Sequence, residues 1–227
     1  LRYGWFNELC HTEGYAVIAV AHHANDSIET FFINLLRGTG LRGLTGINRQ
    51  YGRVVRPLLY ATRKDILEYA VQNKIPYRED SSNRSTKYLR NKIRLGLLPL
   101  LREINPKFTP LMRGNLYRLN NAQLFIDAAI DRIRQEAVRS ENGIDTIEVA
   151  AIDKIYPLEF VIYEILNSTY GFKGDVVEEL CGALKRGVTD RRFYSRDYVA
   201  YLDRGDIMVA RIEEEDDCEV VVEMDDM

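Results

Sequence analysis

The feature that most constrains the fold is the apolar run Tyr15-Ala16-Val17-Ile18-Ala19-Val20-Ala21, followed at once by polar His22-His23-Ala24-Asn25-Asp26. So short and continuous a run predicts a parallel strand buried on both faces. Before it, Tyr3, Phe6, Leu9 and Cys10 recur at helical spacing and predict a helix from Leu1 to about Glu13, ended by Gly14. After it, Asn25 or Asp26 can cap a helix to about Leu36, with Ile28, Phe31, Phe32, Leu35 and Leu36 inward. Helix, strand, helix is the grammar of a doubly wound parallel sheet, so the chain opens as α/β.

Further on, Val54 to Leu59 predicts a strand, with Pro57 near its end. Thr62 caps a helix to about Asn73, Asp80 to Arg84 forms a polar loop, and Thr86 to Glu103 predicts a basic helix interrupted near Pro99. Asn105-Pro106 marks the domain boundary, giving a catalytic part over 1–105 and a second part over 106–227. The second part opens with a helical linker, about Thr109 to Arg139, and continues as a small α+β portion. There Glu141-Asn142-Gly143 makes a turn, Thr146 to Val149 a strand, Pro157 to Tyr170 and Asp175 to Lys185 helices. Phe193-Tyr194, Tyr198 to Leu202, Ile207 to Ile212 and Val220 to Val222 alternate as strands do.

The net charge of −3 argues against a generic nucleic-acid binder, but it hides an asymmetry. Residues 1–103 carry 16 Lys/Arg against 9 Asp/Glu, a balance of +7, and residues 104–227 carry 15 against 25, a balance of −10. A basic half can bind a polyanion while the total stays acidic. Cys10, Cys181 and Cys218 have no CxxC or metal spacing and read as reduced cytosolic thiols, so no metal site is expected. No apolar run approaches the roughly 18 residues of a membrane span. The chain starts at Leu1 inside helix-like sequence, which reads as a partial sequence.

Three constellations carry chemistry. In His22-His23-Ala24-Asn25-Asp26-Ser27-Ile28-Glu29, Asp26 and Glu29 are three apart on one helix face at a strand's carboxyl end, where ligands of open α/β sheets bind. They could hold an ammonium group or a metal, or simply complement the helix dipole. The Gly-rich stretch Arg37-Gly38-Thr39-Gly40-Leu41-Arg42-Gly43 lets a backbone approach a phosphate, but lacks the Gly-Lys-Ser/Thr ending of a Walker A loop. Lys87, Arg90 and Arg94 recur at helical spacing and form either a phosphate-tracking stripe or a solvated helix face.

Taken in order, HHANDSIET, LLRGTGLRGLTGI, RPLL, EDSSN and RNKIR resemble tRNA(Ile)-lysidine synthases, members of the PP-loop ATP pyrophosphatases. The resemblance covers about residues 1–105. It implies that ATP, with Mg2+, adenylates the C2 oxygen of the wobble cytidine in the CAU anticodon of tRNA(Ile), and that free L-lysine then attacks C2. It implies lysine binding by Asp26 and Glu29, and a nucleotide and lysine pocket lined by Arg37, Gly38 and Gly40 with His22 at its wall. Arg90, Asn91 and Arg94 would contact the anticodon stem or the activated base, in a cytoplasmic enzyme. The family's Ser-Gly-Gly-x-Asp-Ser string does not occur in these 227 residues. The expectation is therefore that the ATP PP-loop is not present and that the chain alone is inactive. The alternatives are another PP-loop enzyme, such as a tRNA thiolase, or a non-catalytic tRNA-binding module. By position, residues 106–227 would hold the helical linker and part of the family's C-terminal α+β tRNA-binding portion; being acidic, this part would set distance and shape or pair two copies as a homodimer.

Overall fold

A computed structural model describes residues 2–78, 88–189 and 191–212. The Asp80 to Arg84 loop, Lys87, the acidic run Glu213 to Asp217, Cys218 and the strand expected at Val220 to Val222 lie outside the described residues. The chain divides into two compact units, Leu1–Phe125 and Ile126–Met227. The division falls within a long helix, beyond Asn105-Pro106.

The first unit opens with α1 (Arg2–Thr12), β1 (Ile18–Ala19) and α2 (Ala24–Arg37), the expected order. It continues through α3 (Leu41–Leu44), β2 (Gln50–Tyr51), β3 (Val54–Val55), a 3-10 turn (Pro57–Tyr60) and α4 (Arg63–Gln72). β1 runs parallel to β3, pairing Ile18 with Val54 and Ala19 with Val55, while β2 returns antiparallel to β3. Two expectations are corrected here. The run from Tyr15 is not buried on both faces: among the described residues β1 pairs with β3, and Tyr15 and Val17 are exposed. The strand expected to reach Leu59 stops at Val55, because Pro57 has no N–H to donate to a ladder and instead starts the 3-10 turn.

The basic helix is one rod made of α5 (Leu89–Lys92), a π-helical turn (Ile93–Leu97) and α6 (Leu98–Ile104). Pro99 accounts for the widened turn, since its ring crowds the carbonyl four residues back and it donates no hydrogen bond. Ile28 of α2 packs with Ile93, Leu98 and, from α7 (Phe108–Ala137), Met112 and Leu116. Phe31 and Phe32 flank this core, but Leu35 and Leu36, expected inward, are exposed at the last turn of α2.

The second unit contains the end of α7, β4 (Val138–Glu141), β5 (Ile144–Ile147), α8 (Val149–Ile152), α9 (Leu158–Tyr170), α10 (Gly174–Arg186), β6 (Arg192–Tyr194), β7 (Tyr198–Asp203) and β8 (Asp206–Arg211). The strands form an antiparallel sheet in the order β4-β5-β8-β7-β6. Two-residue turns at Asn142-Gly143 and Arg204-Gly205, all four with positive φ, close the β4–β5 and β7–β8 hairpins. β4 takes residues assigned to the linker helix, and Val149, expected in a strand, starts α8 with its N–H bonded to Asp206 Oδ1 at 2.9 Å. The alternating residues Phe193, Ala200, Leu202, Ile207 and Val209 form one core with Ile162, Ile165 and Leu166 of α9 and Leu180 and Ala183 of α10.

Cys181 lies in this core, and burial, followed by the nearby Glu159 charge, pushes its thiol up to about 11. A free thiol ionises near 8.5. At pH 8 Cys181 should therefore alkylate about 10²-fold more slowly in the folded chain than after denaturation. Peptide mass mapping after iodoacetamide checks this, and equal rates would contradict the packing described.

Candidate functional site

The site is built on the first turn of α2. The N-cap is His23, not Asn25 or Asp26. Its Nδ1 accepts from the Asp26 N–H at 3.4 Å, and Asp26 Oδ2 accepts from the His23 N–H at 2.9 Å, a reciprocal capping box. Asn25 is spent elsewhere: its Oδ1 accepts from the Arg63 N–H at 2.9 Å, at the first residue of α4. Thr62 caps α4 as expected and forms a second capping box with Asp65. The starts of α2 and α4 are thus stitched together beside the carboxyl end of β1, where open α/β sheets place ligands.

Behind the cap lies a four-residue charge cluster. Glu29 is 1% exposed and Asp26 8%. Arg94 donates from Nε to Glu29 Oε1 at 2.7 Å and from a terminal nitrogen to Glu29 Oε2 at 2.9 Å, a two-pronged pairing. The same terminal nitrogen reaches Asp26 Oδ1 at 3.4 Å. Arg90 donates to Thr30 Oγ1 at 3.2 Å and stands 3.8 Å from Glu29 Oε2. Two carboxylates thus face two guanidiniums, which is how buried charges are tolerated. The hydrogen bond to Glu29, then the charges of Glu29 and Asp26, raise the Arg94 pKa and keep it cationic. Asn91, one residue past Arg90, is buried with the cluster's helix.

His22 precedes the cap. Arg56 donates from Nε to His22 Nδ1 at 3.2 Å and from a terminal nitrogen to the Asn48 carbonyl at 2.8 Å. This contact orients the His22 ring just before α2. Arg56 stood in the sequence only as the first residue of the RPLL string, within an expected strand, and not as the partner of a histidine before α2.

Arg37, Gly38 and Gly40 do not join this cluster. Arg37 ends α2, about 16 Å along the helix axis from Asp26 at 1.5 Å per residue. Gly38 is the C-cap, with φ +75, and Gly40 the N-cap of α3; both are exposed. A residue that sequence reasoning missed, Ser27, ties the Gly-rich loop back to α2: its Oγ accepts from the Ile47 N–H at 3.0 Å. Gly46 has φ +79, and a Cβ there would meet Ser27 Oγ at 2.3 Å and the Ser27 carbonyl oxygen at 3.1 Å. Gly46→Ala is expected to cost about 3 kcal/mol from strain and overpacking together. Urea melts check this, and a loss under 1 kcal/mol would mean the loop relaxes freely.

Among the described residues, no helix is long and apolar enough to cross a membrane, and no group of three or more His, Cys, Asp or Glu could hold a metal ion. Residues 1–101 match the PP-loop domain family, and residues 140–212 match the TilS substrate binding domain family. The chain is 36% identical over 216 residues to a tRNA(Ile)-lysidine synthase of Parabacteroides distasonis, covering 95% of this chain and 48% of that protein. It is 36% identical over 218 residues to the enzyme of the same name from Bacteroides thetaiotaomicron, covering 96% and 50%. A Thermosipho africanus relative of that name is 44% identical over 108 residues, 48% of this chain and 25% of the relative. The chain thus spans about half the length of the first two relatives. The PP-loop match overturns the expectation that the PP-loop is not present. That expectation rested on one missing string, whereas the domain is recognised over 101 residues, so inactivity no longer follows.

Proposed function

We propose that this chain, 36% identical over 216 residues to a tRNA(Ile)-lysidine synthase, is of that family and carries the lysine-facing site of an ATP-dependent ligase acting on tRNA(Ile) in the cytoplasm. ATP, with Mg2+ on its phosphates, activates the C2 oxygen of the wobble cytidine in the CAU anticodon as an adenylate, and pyrophosphate leaves. The side-chain amine of L-lysine then forms the C2–N bond while the bond from C2 to the AMP oxygen breaks. The amine must arrive neutral, so an acceptor has to take its proton.

The observation that carries this reading is the Asp26–Glu29–Arg90–Arg94 cluster beside the carboxyl end of β1. It also divides the labour. Glu29 has both oxygens bonded to Arg94, so it positions the basic helix. Asp26 Oδ1 has a long 3.4 Å contact to Arg94 and is the position an ammonium can take. Arg94, Arg90 and Asn91 then face the anticodon stem or the activated base, and His22 stands at the wall. Arg37, with the open backbone at Gly38 and Gly40, makes a separate contact for the nucleotide.

The test is calorimetric titration of the 227-residue chain with L-lysine, beside a gel shift with a CAU-anticodon tRNA(Ile) transcript. Binding of both is expected. Binding of tRNA without lysine would favour the non-catalytic module. For the thiolase alternative, incorporation of label from a sulfur donor rather than from lysine is the discriminating result. Among the described residues, Cys10 and Cys181 are both buried free thiols.

A further inference from the structure

β6 stands at one end of the second sheet: it pairs with β7 and, among the described residues, with no further strand. Alternate N–H and C=O groups along it point away from the sheet, and such an edge accepts another strand. Its side chains are divided. Phe193 is buried in the core, whereas Arg192 and Tyr194 are exposed on the opposite face. Around this edge, residues 185–196 hold five Lys/Arg and one Asp. Lys185 is paired with Glu159 and Arg191 with Glu179. Arg192 is exposed and has no ion-pair partner among the described residues, and the Arg196 side chain, 95% exposed, has Asp197 at 4.0 Å.

The chain that follows β8 has the complementary pattern. Residues 213–227, which lie outside the described residues, hold nine Asp/Glu and no Lys/Arg. Within them, Glu219-Val220-Val221-Val222-Glu223 sets a short apolar run between two acids. The point of departure is fixed. β8 ends with Arg211 opposite Tyr198, and the Ile212 N–H donates to the Asp197 carbonyl at 3.0 Å. Asp197 lies in the turn between β6 and β7, at the same end of the sheet as Tyr194. Neighbouring strands stand about 4.8 Å apart, so the place outside β6 is about 14 Å from β8. Residues 213–217 span about 16 Å when extended, enough to pass Arg196 and reach it.

We propose that residues 219–223 dock on the outer edge of β6 as an added strand, antiparallel to it. Val220 and Val222 then fall on the side of Phe193, and Glu219 and Glu223 on the side of Arg192 and Tyr194. The acids before them lie along Arg196. The other edge, β4, is equally far from β8, but it balances Arg139 against Glu141, and the bond from Ile212 to Asp197 directs the chain toward β6. The docked segment closes the edge against pairing with another chain and neutralises the basic island.

The test is hydrogen–deuterium exchange of the 227-residue chain, read by mass on peptides covering β6. Of two consecutive strand residues, one directs its N–H at a given neighbour, so Val220→Pro with Val221→Pro removes a pairing donor in either register. Exchange at β6 is expected to be about 10-fold faster in this double variant than in the parent. Glu219→Lys with Glu223→Lys should speed it about 3-fold at about 0.05 M salt, and less at about 0.5 M, where the charges are screened. Exchange in β7 and β8 should match the parent in both; if the proline pair loosens the whole sheet, the lysine pair decides alone. Unchanged β6 exchange in these variants overturns the proposal. An effect confined to β4 also overturns it, because the segment would then sit at the other edge. Protection of β6 that rises with chain concentration does so as well, since the occupant would be a second copy.

Discussion

Arg94→Ala is expected to destabilise the first unit by about 3–5 kcal/mol, the cost of stripping the partner from a buried charge. The asymmetry of the pair decides which variant suffers more. The Glu29 side chain is 2% exposed and that of Arg94 23%. Without Arg94, the Glu29 carboxylate is left inside, facing Arg90 at 3.8 Å with no short hydrogen bond to it. Without Glu29, the Arg94 guanidinium still reaches water and Asp26. Glu29→Ala should therefore cost less, about 1–3 kcal/mol. Replacing both together, as Glu29→Leu with Arg94→Met, should cost less than Arg94→Ala alone, because no orphan charge remains. Urea melts of the three variants read this order directly. An Arg94→Ala chain that melts with the parent would mean the cluster contributes nothing to the fold, and the positioning role of Glu29 would fall with it.

The parts of this cluster were legible in the sequence separately, and their pairing was not. Asp26 and Glu29 declare a helix face, and Arg90 and Arg94 a basic stripe, because both signals are local. The bond between Glu29 and Arg94 joins residues 65 positions apart, and no periodicity encodes that. The cap was misread for a related reason. Asn25 and Asp26 are the stronger N-cap types, so local preference selects them, but Asn25 is drawn to the start of α4 and Asp26 serves as the third residue of His23's capping box. Secondary structure followed the same division. The helices with clear 3.6-residue periodicity fall close to their expected spans. β4 was missed because Val138 to Glu141 continues a helical pattern, and only its pairing with β5 makes it a strand. β2 was missed because its two residues gain their partner through the turn at Gly52. The π-helical turn was half-legible: Pro99 announced an interruption, but not that the rod would widen rather than break.

Asp26→Asn should separate the two jobs of that residue and so test the site more sharply than alanine does. Asn keeps an oxygen to accept from the His23 N–H, so the capping box keeps half of its reciprocity through the side chain. The fold should lose less than about 1 kcal/mol. Alanine removes the cap as well, at about 1 kcal/mol more. The charge is lost equally in both. If Asp26 is the ammonium contact, an amide at that position cannot replace the ion pair, and Asn also offers N–H groups that repel the ammonium. Lysine-dependent turnover of the enzyme carrying this chain should fall about 10²–10³-fold in both variants, a size typical of losing one charged contact or proton acceptor in a closed site. Binding of tRNA should be unchanged, because Arg90 and Arg94 keep Glu29 as their anchor. The informative comparison is therefore between lysine and tRNA affinity in Asp26→Asn. Loss of lysine binding with intact tRNA binding supports the assignment. Loss of tRNA binding with lysine affinity retained would move Asp26 from the lysine pocket to the support of the basic helix, and Glu29, not Asp26, would then have to exchange Arg94 for the substrate.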